Sequence, residues 1–319
     1  MLLGVWLLYL AFGLNVGALA PLVPVIEADL GLSHSAMGRV LGAWQFVFII
    51  AAIPCGILLD RLGSRWAMLG GALLIGVSAF WRSIADDEIS LLLAVGIFGL
   101  GGPIVSTGAP KVISAWFDGK QRGLAMGIYV TGPGIGTMVS LLLTNPVLLP
   151  VLDHDWRQVL RLWGCFTLVA ALVWYLISTR LGETPKDRGQ SHTISLGLFE
   201  LLRQPVVRLL LVMSIGVFAI NHGLGNWLPE LLRAGGRTIT QASNLAALMV
   251  FVAILSALTI PRLATRPYRL VVLFMLCLCT VCATLLLRLP TGLPLIVGLI
   301  FQGIASGSMM TVMMLILVE

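Results

Sequence analysis

Charged and amide side chains are scarce in this chain, so each one inside an apolar run invites a chemical reading. Asp60, Arg61 and Arg65 crowd around Gly63 in the segment Gly56-Ile-Leu-Leu-Asp60-Arg61-Leu-Gly63-Ser-Arg65-Trp66, between two long hydrophobic stretches. A glycine permits a tight turn, and two arginines keep the loop on one face of a membrane. The carboxylate can meet a helix N-terminus or a basic side chain. The cluster reads either as a gate or as a positively charged turn that obeys membrane topology. Deeper in apolar runs lie Asn15, Gln45, Lys111, Tyr129, Asn221, His222, Asn226 and Gln302. Polar groups at such depth are costly and face a cavity or a partner helix. They are candidates for binding a polar solute, with an interhelical hydrogen bond as the alternative. His222 could carry a coupled proton, since imidazole titrates near neutrality, or sit neutral and hydrogen-bonded. Lys111 could attract an anion, snorkel to the surface, or pair with Asp118 or Asp60.

The elements that hold these residues are membrane helices. The chain has 319 residues, 58% hydrophobic and 11% charged, with a mean hydropathy of +1.00. A soluble domain carries about 25% charged residues. The apolar residues fall in runs of roughly 20, the length at which an α-helix spans a bilayer. They lack the alternation of a transmembrane β-barrel. The expected fold class is an all-α, multi-pass membrane protein of the cell (plasma or inner) membrane, with the lipid bilayer as its surroundings. The net charge of +6 is scattered over short loops, as topology requires, which argues against nucleic acid as a partner. Cys279 and Cys282 form a CxxC without a second ligand pair, and all five cysteines lie in apolar runs, so neither a metal nor a redox centre is expected. No catalytic pair, nucleotide-binding loop or cofactor motif appears, which argues against an enzyme and against ATP drive within this chain. Ala18-Leu-Ala20 resembles a signal-peptide cleavage site, but no basic segment precedes it, so residues 1–20 read as the first membrane helix.

Ten spans are expected, at roughly 3–25, 37–59, 66–84, 89–116, 123–150, 157–179, 207–228, 240–261, 269–288 and 293–317. The polar stretch 180–206 separates two halves, so the domains are 1–180, a linker 181–206, and 207–319. Even-numbered loops hold Arg61, Arg65, Lys111, Lys120, Arg122, Arg180, Lys186, Arg188, Arg203, Arg208, Arg262, Arg266 and Arg269. Odd-numbered loops hold Arg39, Arg82, Arg157, Arg161, Arg233, Arg237 and Arg288. The bias of 13 against 7 places the N-terminus, the loop after span two and the central linker in the cytoplasm.

The halves resemble each other at an offset of 205: Pro24 maps onto Pro229, Ser33 onto Thr238, Gly56 onto Pro261 and Arg61 onto Arg266. Asn15 and Asn221 match at 206. Ser33 and Thr238 each precede a span, where a hydroxyl can cap exposed amides. A duplicated six-helix unit explains the pattern. On that plan Glu319 corresponds to position 114, so the second half is expected to hold four of six helices.

The pattern G-x-x-x-D-R-x-G-x-R over Gly56, Asp60, Arg61, Gly63 and Arg65 resembles the loop signature of the major facilitator superfamily. Trp116-Phe117-Asp118-Gly-Lys120-Gln-Arg122-Gly123-Leu-Ala125-Met-Gly127 is similar to that family's stretch between its fourth and fifth helices. Asn226-Trp227-Leu228-Pro229 resembles the cyanate and nitrate/nitrite porter branches. The resemblance implies a 6+6 pseudo-repeat in which the first and fourth helices of each half line a cavity. Asn15, Asn221, His222 and Gln302 are then the foremost substrate-facing residues, and the Asp60 loop locks an outward-open state. The second-half copy, Pro261-Arg262-Leu-Ala-Thr265-Arg266-Pro-Tyr-Arg269, has no Asp matching Asp60. Gly127-Ile-Tyr-Val-Thr-Gly132-Pro133-Gly134-Ile-Gly136 resembles the family's antiporter signature in part; close helix packing with a proline bend is the alternative, as for Gly13/Gly17 and Gly303/Gly307. The implied function is a secondary transporter of a small solute, with a lean towards an anion, working by alternating access. Protons, sodium or a counter-substrate would drive it. The alternative is a non-transporting sensor or an incomplete transporter.

Overall fold

The computed structural model describes residues 1–181, 203, 205–289 and 292–317. The main helices are α1 (Leu2–Gly17), α2 (Val23–Leu30), α3 (His34–Arg82), α4 (Glu88–Trp116), α5 (Gly119–Leu143), α6 (Trp156–Leu181), α7 (Pro205–Ala234), α8 (Ile239–Leu263), α9 (Arg269–Leu286) and α10 (Leu293–Leu317). Among the described residues there is no strand, and nine helical stretches are long and apolar enough to cross a membrane. A helix satisfies its own backbone hydrogen bonds, which hydrocarbon requires.

Spans two and three, expected separately, appear as the single 49-residue run α3. A straight helix of that length would reach about 74 Å, against a hydrocarbon core of about 30 Å. The run is not straight, because Gly63 adopts φ 77° and ψ 157°. Both limbs fold onto α4. A Cβ on Gly99 would lie 2.7 Å from Val47 of the first limb, and one on Gly101 would lie 2.9 Å from Ile75 of the second. In a continuous helix Val47 and Ile75 would be about 42 Å apart. Gly63 therefore divides α3 into two limbs of spanning length, and this is why ten expected spans become nine helical stretches.

The first span also departs from expectation. Predicted as unbroken over 3–25, it stops at Gly17, passes through a 3₁₀ turn at Ala20–Leu22 and restarts at Val23. Pro21 and Pro24 lie in this segment, and a proline removes a helical N–H and crowds the preceding turn.

The chain forms two compact units, Met1–Ser191 and His192–Glu319. The expected linker 181–206 lies almost wholly outside the described residues. In the first unit α1 and α5 meet along a glycine seam. A Cβ on Gly13 would fall 2.0 Å from the Pro133 carbonyl oxygen, and one on Gly136 2.2 Å from that of Leu10. The Gly132–Gly136 motif is thus a surface of close backbone approach. Phe98 of α4 stacks on Phe12 of α1 at 5.2 Å and meets Trp44 of α3 edge-on at 5.4 Å. In the second unit a core of Leu273, Leu276, Met309, Val312 and Met313 joins α9 to α10.

The repeat is visible in geometry. A Cβ on Gly99 would lie 2.5 Å from the Trp44 carbonyl oxygen, and one on Gly303 2.7 Å from that of Met249. Gly31 and Gly236, 205 residues apart, both take positive φ, 63° and 89°. Ser33 Oγ accepts from the Ala36 amide at 3.2 Å, and Thr238 Oγ1 accepts from the Gln241 amide at 3.2 Å. Both are N-caps, as the hydroxyls before each span suggest.

Candidate functional site

At the Gly63 end of the first unit, the first limb of α3 presents Asp60 and α4 presents Lys111. Lys111 Nζ lies 2.8 Å from Asp60 Oδ1, with the side chains 32% and 40% exposed. The Lys111 charge is therefore engaged with a carboxylate and is not displayed to an anion. A pair this exposed contributes about 0–1 kcal/mol, which is small enough to open reversibly. Across the turn, Arg65 donates to the Ser178 carbonyl and accepts at its own carbonyl from Trp174 Nε1, at 3.0 Å. These contacts tie the second limb to the last turns of α6. Arg61 is exposed. Gly56 has nothing within 4 Å of a Cβ position, whereas Gly63 needs its positive φ.

The polar residues expected inside the first unit are largely turned to its interior. Asn15 is 2% exposed, and its amide donates to the Ala11 carbonyl at 2.8 Å and to Thr167 Oγ1 at 2.9 Å. Both amide hydrogens are thus used, one within α1 and one across to α6. Tyr129 is buried and packs edge-on against Tyr9 at 5.3 Å. Tyr9 in turn donates from its hydroxyl to the Ser106 carbonyl at 2.9 Å. Gln45, half-buried on α3, holds its Oε1 away from solvent with no hydrogen-bond partner among the described residues.

The second unit brings together residues 81 apart in sequence. Gln302 Nε2 of α10 lies 3.4 Å from Asn221 Oδ1 of α7. Gln302 is 1% exposed, and its Oε1 has no hydrogen-bond partner among the described residues. His222 is half-buried with its ring 4.9 Å from that of Phe218, and Asn226 is half-buried one turn further along α7. A half-occupied amide pair with a free buried acceptor is the feature of this unit best suited to holding a solute. Among the described residues no three His, Cys, Asp or Glu side chains converge as a metal site would require.

Arg82 escaped the sequence reading, which counted it as a loop charge. It is 2% exposed, donates to the Asn15 backbone carbonyl at 3.3 Å and sits 5.1 Å from the Phe98 ring centre. Its place at the edge of an apolar run hid this role. Removing it from the loop count leaves 13 basic residues against 6, so the bias is strengthened. The other odd-loop arginines of this unit are at the surface and offset by acids or hydroxyls: Arg157 pairs with Asp29, and Arg39 Nε meets Glu88 at 2.8 Å.

The family model described as Major Facilitator Superfamily matches residues 5–319. A probable L-galactonate transporter of Escherichia coli (strain K12) is 26% identical over 71% of this chain and 52% of its own length. A probable nitrate transporter, NarT, of Staphylococcus carnosus (strain TM300) is 30% identical over 50% of this chain and 40% of its own. The 4-hydroxybenzoate transporter PcaK of Pseudomonas putida is 24% identical over 83% and 66%. The chain spans about half the length of the first of these curated relatives, and two thirds or less of the others. Among solved structures, a bacterial homologue of the human lysosomal transporter Spinster, in an inward-facing and occupied conformation, superposes with a TM-score of 0.73 at 20% identity, over 98% of this chain and 72% of that one. The D-xylose-proton symporter gives 0.72 at 16% identity, over 99% and 81%.

Proposed function

The chain belongs to the major facilitator superfamily, and from that premise we propose that it is a secondary active transporter of a small anionic solute, working by alternating access. The observation that carries the binding part is the Asn221–Gln302 pair. A buried acceptor left without a donor costs about 1–3 kcal/mol, and Gln302 Oε1 is such an acceptor. A solute hydroxyl would satisfy it. The anionic class is supported by relatives named for L-galactonate, nitrate and 4-hydroxybenzoate. Galactonate and 4-hydroxybenzoate each carry at least one hydroxyl beside a carboxylate, whereas nitrate carries none, so the Gln302 acceptor favours the hydroxylated anions. Asn226 and His222 lie beside the pair along α7, and Gln45, Tyr129 and Asn15 are the polar groups of the first unit. The gate comprises Gly56, Asp60, Arg61, Gly63 and Arg65, with Lys111 as the partner of Asp60. A proton or sodium gradient, or a counter-solute, supplies the drive. The N-terminus and the central linker face the cytoplasm.

The test is uptake into proteoliposomes holding the purified chain. Labelled 4-hydroxybenzoate, L-galactonate and nitrate are offered under a proton gradient, a sodium gradient, and exchange. Saturable uptake of at least one is expected. Binding of a labelled solute without flux under any drive would sink the transport reading for this chain and favour a sensor or an incomplete transporter.

A further inference from the structure

The first unit gathers aromatic rings from α1, α3, α4 and α5 at mid-depth. Phe12 of α1 stacks on Phe98 of α4, with centroids 5.2 Å and planes 18° apart. Trp44 of α3 stands edge-on to Phe98 at 5.4 Å and to Phe48 at 6.1 Å. Tyr9 lies 6.2 Å from Phe12 and 5.3 Å from Tyr129 of α5. The rings of Phe48 and Phe12 converge over Gly102, where a Cβ would come within 3.1 Å of one and 3.2 Å of the other. Gly102 is the middle residue of α4, and Phe48 the middle residue of the first limb of α3, 34–62. Transporters hold their solutes near this depth.

The second unit makes the same helix contact without these rings. Gly303 meets the Met249 carbonyl and Val252 as Gly99 meets the Trp44 carbonyl and Val47. That pairing puts Met249 in the place of Trp44, Ala253 in that of Phe48 and Gln302 in that of Phe98. At the offset that pairs Asn15 with Asn221, Tyr9 corresponds to Ile215 and Phe12 to Phe218. Phe12 alone among these rings keeps an aromatic counterpart, so packing of the repeat does not demand the cluster.

Phe98 and Trp44 are buried and form its backing, while Tyr9, Phe12 and Phe48 are half-buried. The Ser106 carbonyl holds the Tyr9 hydroxyl at 2.9 Å, which fixes that ring. The Tyr129 hydroxyl has no hydrogen-bond partner among the described residues, and neither has Gln45 Oε1, one turn before Phe48. Tyr129 lies two residues from the middle of α5. A hydroxyl at that depth is costly against hydrocarbon and calls for a polar occupant.

We infer that Tyr9, Phe12 and Phe48 form a ring-binding face with the Tyr129 hydroxyl beside it, and that the solute is a planar aromatic carboxylate of the hydroxybenzoate class, not an open-chain sugar acid. A flat ring packs on aromatic faces in stacked or edge-on geometry. The Tyr129 hydroxyl donates to the carboxylate or accepts from a ring hydroxyl. A sugar acid would bring several hydroxyls against faces that offer them no partner. Movement of the solute across the membrane rests on the transporter reading; its binding at this face does not.

The test is equilibrium binding of labelled 4-hydroxybenzoate to the purified full chain in detergent, with unlabelled competitors. Benzoate is expected to compete several-fold better than cyclohexanecarboxylate, which keeps the charge and lacks the π face. L-galactonate should not compete. Phe48→Leu should weaken binding about two- to tenfold, the worth of one aromatic pair. It should also narrow the preference for benzoate over cyclohexanecarboxylate, which a merely structural role would not do. Tyr129→Phe keeps the ring and should weaken binding about tenfold by loss of one hydrogen bond. An unchanged preference in a folded Phe48→Leu chain overturns the ring-binding face. If that variant does not fold, Phe12→Leu meets the same criterion, and if neither folds, wild-type affinity in Tyr129→Phe overturns it. No binding of 4-hydroxybenzoate, or displacement by L-galactonate as readily as by benzoate, overturns the solute class. Uptake of L-galactonate into proteoliposomes without uptake of 4-hydroxybenzoate does the same and leaves the transporter reading standing. Binding of 4-hydroxybenzoate without uptake under any drive supports the face and counts against transport by this chain.

Discussion

Lys111 Nζ stands 2.8 Å from Asp60 Oδ1, across the contact between α4 and the first limb of α3. The pair joins residues on two helices beside the Gly63 turn, where either partner can reach water. Its strength suits a clasp that forms and breaks, since an exposed ion pair contributes about 0–1 kcal/mol.

Asp60→Asn should therefore lower flux without lowering yield. Loss of the pair shifts the balance of conformations by up to about fivefold for 1 kcal/mol. Membrane insertion and thermal stability should change little. The charge exchange Asp60→Lys with Lys111→Asp should recover part of the flux. Initial uptake rates at matched protein amount are the measurement, and a wild-type rate in Asp60→Asn would reduce the loop to a topology signal.

Two glycines separate packing from motif. Gly136→Ala places a methyl group 2.2 Å from the Leu10 carbonyl oxygen, so α1 and α5 must part. The expected loss is about 1–3 kcal/mol, read as a lower melting temperature in detergent. Gly56→Ala meets nothing within 4 Å and lies in a helix. It should be neutral or stabilising by up to about 1 kcal/mol. Equal melting temperatures for the two variants would contradict the seam.

Gln302→Leu removes the buried acceptor together with its donor to Asn221. The expected result is a rise in KM for whichever labelled solute the wild type carries, of about tenfold for a lost hydrogen bond of 1.4 kcal/mol. Asn221→Ala should raise KM in the same direction. The paired variant should show less than the sum of the two effects, because both residues act on one contact. Full additivity would mean that the two side chains bind nothing in common.

The 13-to-6 distribution of basic residues predicts the side of the central linker. With all native cysteines replaced, Ser191→Cys should resist a membrane-impermeant thiol reagent in intact cells. A cysteine at Asp86, in the loop between α3 and α4, should react. The reverse pattern of labelling would invert the orientation.

The amino-acid sequence by itself determined the spans, the caps and the repeat, because each depends on short-range chemistry. An apolar run of sufficient length becomes a helix in lipid regardless of its neighbours. Ser33 and Thr238 cap amides only three residues away. Gly63 announced a turn because it stands among charges between two apolar runs, and the structure confirms that turn in its positive φ. Partner choice was decided by the tertiary structure alone. Lys111 had Asp118 and Asp60 as alternative partners by sequence, and the hairpin at Gly63 brings Asp60 to it from 51 residues away. Asn15 had an interhelical hydrogen bond as one of two readings, and only the fold supplies its partner, Thr167 of α6, 152 residues on. Arg82 read as a loop charge, since sequence position cannot tell a side chain pointing to water from one turned towards the end of another helix. The run 3–25 is apolar and long enough to span a membrane, and that length masks the break which Pro21 and Pro24 introduce; a donor from α3 meets one of the carbonyls near it.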